Sequence, residues 1–452
     1  MSFLKRFQTS LESLYTLPEN SSYVVAYSGG VDSHVLLYCC SVLKLSVRAV
    51  HVHHGLQAVA DDWVSHCQSV CHDLDIPLDV LYVDAKQKQG QSPEESARNA
   101  RYLALESGLS RGDCLLTAQH LNDQAETLLL QLFRTATSAG LAAMPIIKSL
   151  DDYVHARPLL IFSRDEIEQF AKTNDLHWIE DPSNKDTRFD RNFIRKEMLP
   201  LLESRWPGVA KQFSTVARLQ SNNLNVLEDM AAIDMANAIV MPEANLKSSA
   251  YSIVSLLSLT VIKQLSAPRL LNLLRYWFIQ YTCKQPTRNL LEEITKTLID
   301  SQQDASPIIT FADYELRKYS DHLYLLKKHC LADMAGRYEW IPSQSAIFSL
   351  PCYDLAAADS QGCGLQKPLR ENNLTVKFRT GGEIFHPSIR RHSHSLKKLL
   401  QEEGVPPWER DSIPLVYLND ELIAVVGLWI AKKYAVEKDD SGWMINISTT
   451  KV

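Results

Sequence analysis

The sequence predicts an α/β fold, a doubly wound and mostly parallel sheet, followed by two smaller C-terminal domains. Three observations carry that prediction. Tyr23 to Tyr27 is a β-favouring run that passes through Ser28-Gly29-Gly30 into a helix-period stretch containing Val35-Leu36-Leu37-Tyr38. Strand-like runs at 46–52, 78–83 and 113–118 then alternate with helix patterns, the order of crossover units laid on one sheet. Beyond Pro200 that alternation stops. A length of 452 residues suits about three domains, and 45% hydrophobic content allows each a core. The expected boundaries are 1–210, 211–333, a linker with irregular strand at 334–370, and 371–452.

Taken in order, Phe3, Leu4, Phe7, Leu11 and Leu14 fall at helical spacing and predict a docked amphipathic helix over 3–16. The next unit is strand, loop, helix, with Ser28-Gly29-Gly30-Val31-Asp32-Ser33 at the helix N-terminus. Unpaired N–H groups of a first turn point at an arriving anion, and the helix dipole adds positive potential. Gly29 and Gly30 permit positive φ and a close approach of ligand to main chain. Ser28 and Ser33 offer hydroxyls, and Asp32 offers the hard oxygen that a Mg²⁺ bridging phosphates needs. The Lys-Ser/Thr ending of a Walker loop is missing. Ser-Gly-Gly-Val-Asp-Ser instead resembles the loop of the PP-loop ATP pyrophosphatases, of adenine nucleotide α-hydrolase-like fold. That resemblance implies ATP cleaved to AMP and pyrophosphate.

The second strand ends in His51, His53 and His54. His51 and His53 share one face of an extended chain and His54 the other, which disfavours a three-histidine metal site and suggests residues beside a nucleotide, His54 among them. After Leu78 to Val83, Ser92 caps a helix with Pro93 in its first turn and Glu95 three past the cap; Arg98 and Arg101 are neighbours on it. The fourth strand feeds His120, Asp123 and Glu126 at the start of a helix, where acids suit the dipole whatever else they do. Strand ends in a doubly wound sheet converge on one crevice, which sets these three opposite the glycine loop. Ser163-Arg164-Asp165-Glu166 is a capping box, and 177–179 reads as a last short strand. A helix from Thr187 aligns Arg188, Arg191 and Arg195 as one cationic stripe, suited to RNA phosphates or a developing phosphoryl charge, or simply a solvated face.

The ordered series Ser28 to Ser33, His53-His54-Gly55-Leu56, Glu94-x-x-Ala97-Arg98-x-x-Arg101-Tyr102, His120-x-x-Asp123-x-x-Glu126-Thr127 and Asp181-x-Ser183-Asn184 through Arg191-Asn192-x-Ile194-Arg195 resembles the tRNA(Ile)-lysidine synthetases. One position departs from that pattern. The family usually has two successive acids where this chain has Asn122-Asp123. The resemblance implies a ligase acting in the cytoplasm on the wobble cytidine of the CAU-anticodon isoleucine tRNA, with ATP, Mg²⁺ and free L-lysine, giving lysidine, AMP and pyrophosphate. It implies Asp32 for Mg²⁺, residues 28–33 for pyrophosphate, Asp123 with Glu126 for metal or the lysine ammonium, and Arg98, Arg101, Arg188, Arg191 and Arg195 for phosphates or RNA.

Residues 211–240 and 250–281 read as amphipathic helices, the second restarted at Ser266-Ala267-Pro268, and three short strands follow at 307–311, 315–318 and 323–327. Near the C-terminus Arg390, Arg391, Lys397 and Lys398 gather beside a Leu-Lys-Lys helix and a Pro406-Pro407-Trp408-Glu409-Arg410-Asp411 turn. Both features also resemble the synthetases' C-terminal domain, a tRNA-binding region. Net charge is −6, so a polyanion must be held by local patches. Nine scattered cysteines, none paired at a two-residue spacing, argue for reduced thiols and against a disulfide frame or zinc ribbon. No apolar run approaches a membrane span or signal segment, and a homodimer is left open. Three rivals remain: a sulfur-transferring PP-loop enzyme using Cys67 and Cys71, a metabolic synthetase of the same superfamily, and an RNA-binding protein with a relic loop.

Overall fold

The computed structural model describes residues 1–19, 21–53, 60–83, 93–134, 137–150, 152–180, 186–241, 251–300, 307–328, 336–345, 347–350 and 353–449. The chain forms two compact units, Met1–Val226 and Leu227–Val452.

In the first unit, α1 (Phe3–Leu14), β1 (Tyr23–Ala26), α2 (Val31–Val42), β2 (Val47–His53), α3 (Ala60–Asp73), β3 (Leu78–Tyr82), α4 (Pro93–Ser107), β4 (Cys114–Leu116), α5 (Leu121–Phe133) and α6 (Ser138–Leu141) alternate as expected. They are followed by β5 (Ile147–Ser149), β6 (Val154–Ala156) and α7 (Arg164–Thr173). The six strands lie in the order β3-β2-β1-β4-β6-β5, parallel except for the antiparallel edge strand β5. This is the doubly wound sheet the sequence predicts. Because β1 sits between β2 and β4, the chain winds outward in both directions from it, and the crevice opens at the C-terminal ends of β1 and β4. Val24, Val25, Leu115 and Leu116 are fully buried, as strands covered on both faces require. Phe7 and Leu11 seat α1 in the same core, and Phe3 packs at 4.3 Å from both Phe162 and Phe170.

Two local readings change. Residues 177–179 form no strand; Ile179 instead donates its N–H to the Gly29 carbonyl at 3.0 Å, running beneath the loop as an isolated extended segment. The arginine helix begins later than Thr187, at α8 (Asp190–Phe193), and continues as a π-helical turn over Ile194–Met198 into α9 (Leu199–Arg205) and α10 (Val209–Ala238).

The second unit holds an antiparallel sheet, β7 (Ile239–Val240), β8 (Tyr251–Ser258), β9 (Ile308–Phe311), β10 (Tyr314–Tyr319) and β11 (His322–Lys328), in the order β7-β8-β11-β10-β9. Helices α11 (Leu259–Ile262), α12 (Ala267–Thr282) and α13 (Arg288–Ile294) accompany it, and the buried Trp277 donates Nε1–H to Ser255 Oγ at 2.8 Å. Tyr251–Ser258, expected as helix, is strand because it pairs along its length with β11; an apolar run this short does not reveal its period.

Residues expected as a linker carry β12 (Tyr338–Trp340), β13 (Ile347–Ser349), β14 (Tyr353–Gln361) and β15 (Leu365–Gln366). These join β16 (Leu374–Lys377), β17 (Ile384–Phe385), β18 (His394–Ser395), α14 (Leu396–Glu402), α15 (Pro407–Arg410), β19 (Leu415–Leu418), β20 (Glu421–Val425), β21 (Trp429–Ile430) and β22 (Ser441–Thr449). Strand β14 pairs with β22 from Tyr353↔Thr449 to Gln361↔Ser441, a long-range ladder that local sequence cannot announce.

A polar chain crosses the first unit's sheet at β6. Arg157 Nη2 donates to His155 Nδ1 at 3.3 Å, His155 Nε2–H donates to Thr117 Oγ1 at 2.7 Å, and the Thr117 hydroxyl donates to Gln119 Oε1. Both imidazole nitrogens are committed in the neutral form, and burial, then Arg157, Lys148 and Arg98, push His155 from 6.5 down to about 3. The unfolded chain takes up this proton below 6.5 while the folded one refuses it, so stability is full above that value and falls as pH drops toward about 3. The expected loss is about 1.4 kcal/mol per pH unit in that window. Thermal or urea unfolding between pH 6 and pH 5 should therefore show a shallower acid loss in His155→Gln than in the parent; identical slopes would refute the assignment.

Candidate active site

The glycine loop has the geometry of an anion cradle. Gly30 caps α2 without a side-chain bond, the first intrahelical bond is His34 N–H to Gly30 O at 2.9 Å, and the N–H groups of Val31, Asp32 and Ser33 find no partner among the described residues. The loop also holds itself together. Ser33 Oγ donates to Gly30 O at 3.0 Å and accepts from Ser28 N at 3.2 Å, with Ser28 Oγ 3.0 Å away. Ser33's hydroxyl proton is thus spent inside the loop, so it shapes the cradle while main-chain N–H groups face a ligand.

The two glycines act differently. Gly29 adopts φ +83°, and a Cβ there would lie 2.8 Å from Ile179 Cδ1 and 3.1 Å from Cys67 Sγ, so it is required by the packing beneath the loop. Gly30 has φ −75° and would bring a Cβ only to 3.6 Å from Ser28 Oγ. The close-approach reading therefore rests on Gly30, and Gly29 serves the core.

Across the crevice stands a buried cluster of opposite charges. Glu126 is completely buried and accepts from Arg191 Nε at 2.8 Å, Arg195 Nε at 2.6 Å and Arg195 Nη2 at 3.0 Å. Asp123 Oδ1 accepts from Arg191 Nη2 at 3.0 Å and Arg195 Nη2 at 2.8 Å, and its Oδ2 from the His120 N–H at 3.0 Å. Burial alone would raise the Asp123 carboxyl, yet His120, Arg191 and Arg195 together hold it below the usual carboxylate range. His120 Nε2 lies 3.4 Å from Asp123 Oδ2 and 3.7 Å from Asp32 Oδ1, and so joins the cluster to the loop. Asp32 differs from the others. Burial raises its carboxyl despite His120 and Arg164 nearby, and its Oδ1 is buried without a hydrogen-bond partner among the described residues. An unpartnered carboxylate oxygen beside a phosphate cradle fits a hard divalent cation such as Mg²⁺.

The expected residues divide accordingly. Asp32, Asp123, Glu126, Arg191 and Arg195 come together, whereas Arg188 turns out to solvent and pairs with Asp186 at 2.7 Å. The single arginine stripe is corrected by the late helix start: Phe189 is still extended as N-cap, so only Arg191 and Arg195, one turn apart, face inward. Arg98 and Arg101 are exposed on α4, with the Arg98 guanidinium 5.2 Å from the Tyr102 ring centre. Arg391, Lys397 and Lys398 are exposed in the second unit, while Arg390 bonds to Glu402 at 2.7 Å. His54 lies outside the described residues, as do Asp181, Ser183 and Asn184.

Two residues make contacts that the sequence could not show. Asn122 Oδ1 accepts the Arg164 N–H at 3.0 Å, the first amide of α7, which Asn serves as well as Asp would. The departure from paired acids is therefore local to a helix end. Arg157 is buried at the end of β6, its Nε without a partner among the described residues. Its signal was an arginine enclosed by apolar residues, Val154-His-Ala-Arg157-Pro-Leu-Leu160.

Comparison with known families and proteins adds to this geometry. Residues 3–202 match the PP-loop domain model, 257–324 the TilS substrate binding domain and 374–447 the TilS substrate C-terminal domain. The chain is 37% identical to the tRNA(Ile)-lysidine synthase of Coxiella burnetii, covering 98% of this chain and 96% of that one. It is 40% identical to the protein of the same name from Methylococcus capsulatus, over 93% and 94%. A solved structure similar in part is the U34-tRNA thiolase NcsA of Methanococcus maripaludis, 17% identical over 48% of this chain and 79% of that one, TM-score 0.40; the likeness is too loose to carry an argument.

Replacing Glu126 by alanine leaves two partly buried guanidinium groups without their main acceptor and should cost about 3–5 kcal/mol. Urea unfolding measures it. The double variant with Arg195→Ala should lose less than the sum of the single losses, and strict additivity would show that the cluster does not act as a unit.

Proposed function

The chain belongs to the tRNA(Ile)-lysidine synthase family, and on that premise we propose that it joins free L-lysine to the wobble cytidine of the CAU-anticodon isoleucine tRNA at the expense of ATP. Lysidine at that position changes the codon read from AUG to AUA and the tRNA identity from methionine to isoleucine. The observation that supports this reading best is the meeting of the anion cradle and the carboxylate–arginine cluster at Asp32 and His120, 3.7 Å apart. One half suits a leaving pyrophosphate, the other a reaction that passes through an adenylated carbonyl and an amine that attacks once its ammonium has given up a proton.

The cytosine C2 carbonyl is a poor electrophile. Its oxygen attacks the α-phosphorus of ATP, the bond to pyrophosphate breaks, and the adenylated base gains AMP as a leaving group. An amine of lysine then attacks C2 and loses a proton, and AMP departs with the former carbonyl oxygen. The amides of Val31, Asp32 and Ser33 hold the leaving pyrophosphate, with no reorganisation needed at the moment of bond breaking. Asp32 would hold Mg²⁺, which when bound offsets phosphate charge. Arg191 and Arg195 each spend Nε and Nη2 on the carboxylates, so each can turn Nη1 toward phosphate or RNA. Glu126 aims those arginines. Asp123 reaches toward His120 and Asp32, where the metal or the lysine ammonium arrives.

Two outcomes are expected. ATP should yield AMP and pyrophosphate, and Asp32→Asn, which keeps shape but removes charge, should lower turnover by about 10² or more with the fold intact; ADP as the nucleotide product would sink the assignment. In the second unit, Lys397→Ala with Lys398→Ala should weaken tRNA binding and flatten its salt dependence by roughly 0.7 to 0.9 in slope for each phosphate that is no longer neutralised, with ATP affinity unchanged. Filter binding across a salt series decides it, and unaltered slope and affinity would remove that patch from recognition.

A further inference from the structure

We propose that Phe189 and Phe193, with Phe133 beside them, form a stacking platform for unpaired nucleotides of the RNA substrate next to the base that reacts. The proposal rests on the reading of the chain as a tRNA-modifying enzyme. The two residues stand one helical turn apart, since Phe193 N–H donates to Phe189 O at 2.9 Å, and Phe189 remains 38% and Phe193 47% exposed. Phe133, at the end of α5, is 62% exposed. Arg134 reaches Asp190 at 3.7 Å, which sets that end of α5 against α8. Three exposed aromatics on adjoining helix ends cost free energy in water and mark a contact surface.

The occupant follows from what surrounds them. Arg191, between Phe189 and Phe193 in sequence, points the other way into Asp123 and Glu126, so the platform is the outer face of the same turn whose inner face builds the reaction centre. Arg188 and Arg134 lie largely in solvent at its edge, Arg188 forked on Asp186 and Arg134 3.7 Å from Asp190, surface pairs in which a phosphate can take the place of the acid. Aromatic faces interleaved with arginines one turn from a base-modifying centre match single-stranded RNA, whose unstacked bases lie on π-faces while the backbone meets cations. A base pulled into the crevice leaves neighbours that have lost a stacking partner, and the rings supply one.

The test separates aromatic stacking from apolar bulk. Phe189→Leu with Phe193→Leu keeps a hydrophobic surface and removes the π-faces; Phe189→Tyr with Phe193→Tyr restores them. In the full chain, the leucine pair should raise the KM for tRNA roughly tenfold or more with kcat little changed, and the tyrosine pair should return it to the parent value. Equal KM in parent and leucine variant, with the parent making lysidine, would overturn the platform. If the parent makes no lysidine, the functional reading fails instead, and the platform is judged by fluorescence of a 2-aminopurine hairpin loop, quenched by parent but not by the leucine variant. Loss of self-association in the leucine pair by sedimentation would mean that a second copy covers this face, and would also overturn it.

Discussion

A buried glutamate that accepts hydrogen bonds from two arginines is the constraint on which the geometry of the candidate site depends. Glu126 lies 65 and 69 residues before its partners, on a different helix, and offers no lone pair to solvent. Such a pair adds little net stability, because desolvating three charges offsets most of their attraction. What it supplies is position: with Glu126 fixed by α5, the guanidiniums of Arg191 and Arg195 can occupy only one place, and α8 with its π-turn must run where it does. A π-turn widens the helical step locally and is frequent where side chains must be re-aimed. Asp123 and His120 then inherit their orientation, and through His120 the cluster meets Asp32.

The loop presents positive potential, whereas the cluster across from it balances two carboxylates against two guanidiniums, and that difference narrows the chemistry. The cradle gains positive potential from its amides, while Asp32 carries a buried oxygen with no hydrogen-bond partner among the described residues. The nearby thiols do not enter. Burial pushes Cys67 up to about 12 and Cys71 up to about 11, and Cys67 Sγ lies under Gly29 on the core side of the loop, 3.5 Å from His51 Nδ1. Thiols held protonated and inward are poorly suited to carry sulfur to an activated carbonyl, which favours an external amine.

The parts of this arrangement legible in the sequence are those written locally. A strand, two glycines and a capped helix specify the cradle within a dozen residues, and the capping box at Ser163 to Glu166 is reproduced bond for bond. Long-range pairing was illegible. Nothing in Arg191 or Arg195 names Glu126 as partner, so spacing alone predicts a stripe or a solvated face, and it groups Arg188 with them because spacing cannot show where a helix starts. The same limit hid β8, whose partner β11 is some seventy residues on, and the strands of 338–366, which exist because β16 and β22 pair with them. Gly29 shows a subtler limit: the sequence demanded a glycine but could not say that its missing Cβ makes room for Ile179 and Cys67.

In the second unit of this acidic chain an aromatic cluster fixes the geometry around one arginine. Trp408, from the Pro-Pro-Trp turn, packs 5.0 Å from Tyr324 and 5.9 Å from Tyr319, while the Arg317 guanidinium lies 5.4 Å from Trp408 and 4.9 Å from Tyr251. Arg317 is itself clamped by Glu315 at 2.6 Å and by the Tyr251 hydroxyl at 2.8 Å. An aromatic wedge under a guanidinium held on both sides leaves little rotational freedom, so the sheet of β7 to β11 and α15, which bears Trp408, are held in one relation. Glu402 bonds to Arg390 and lies 3.9 Å from Lys398, which leaves Arg391 and Lys397 as the least compensated charges of the patch. A rigid mount for a few uncompensated cations favours reading the shape of a folded RNA over general attraction to polyanions, since a net charge of −6 repels any backbone that does not meet those cations in register.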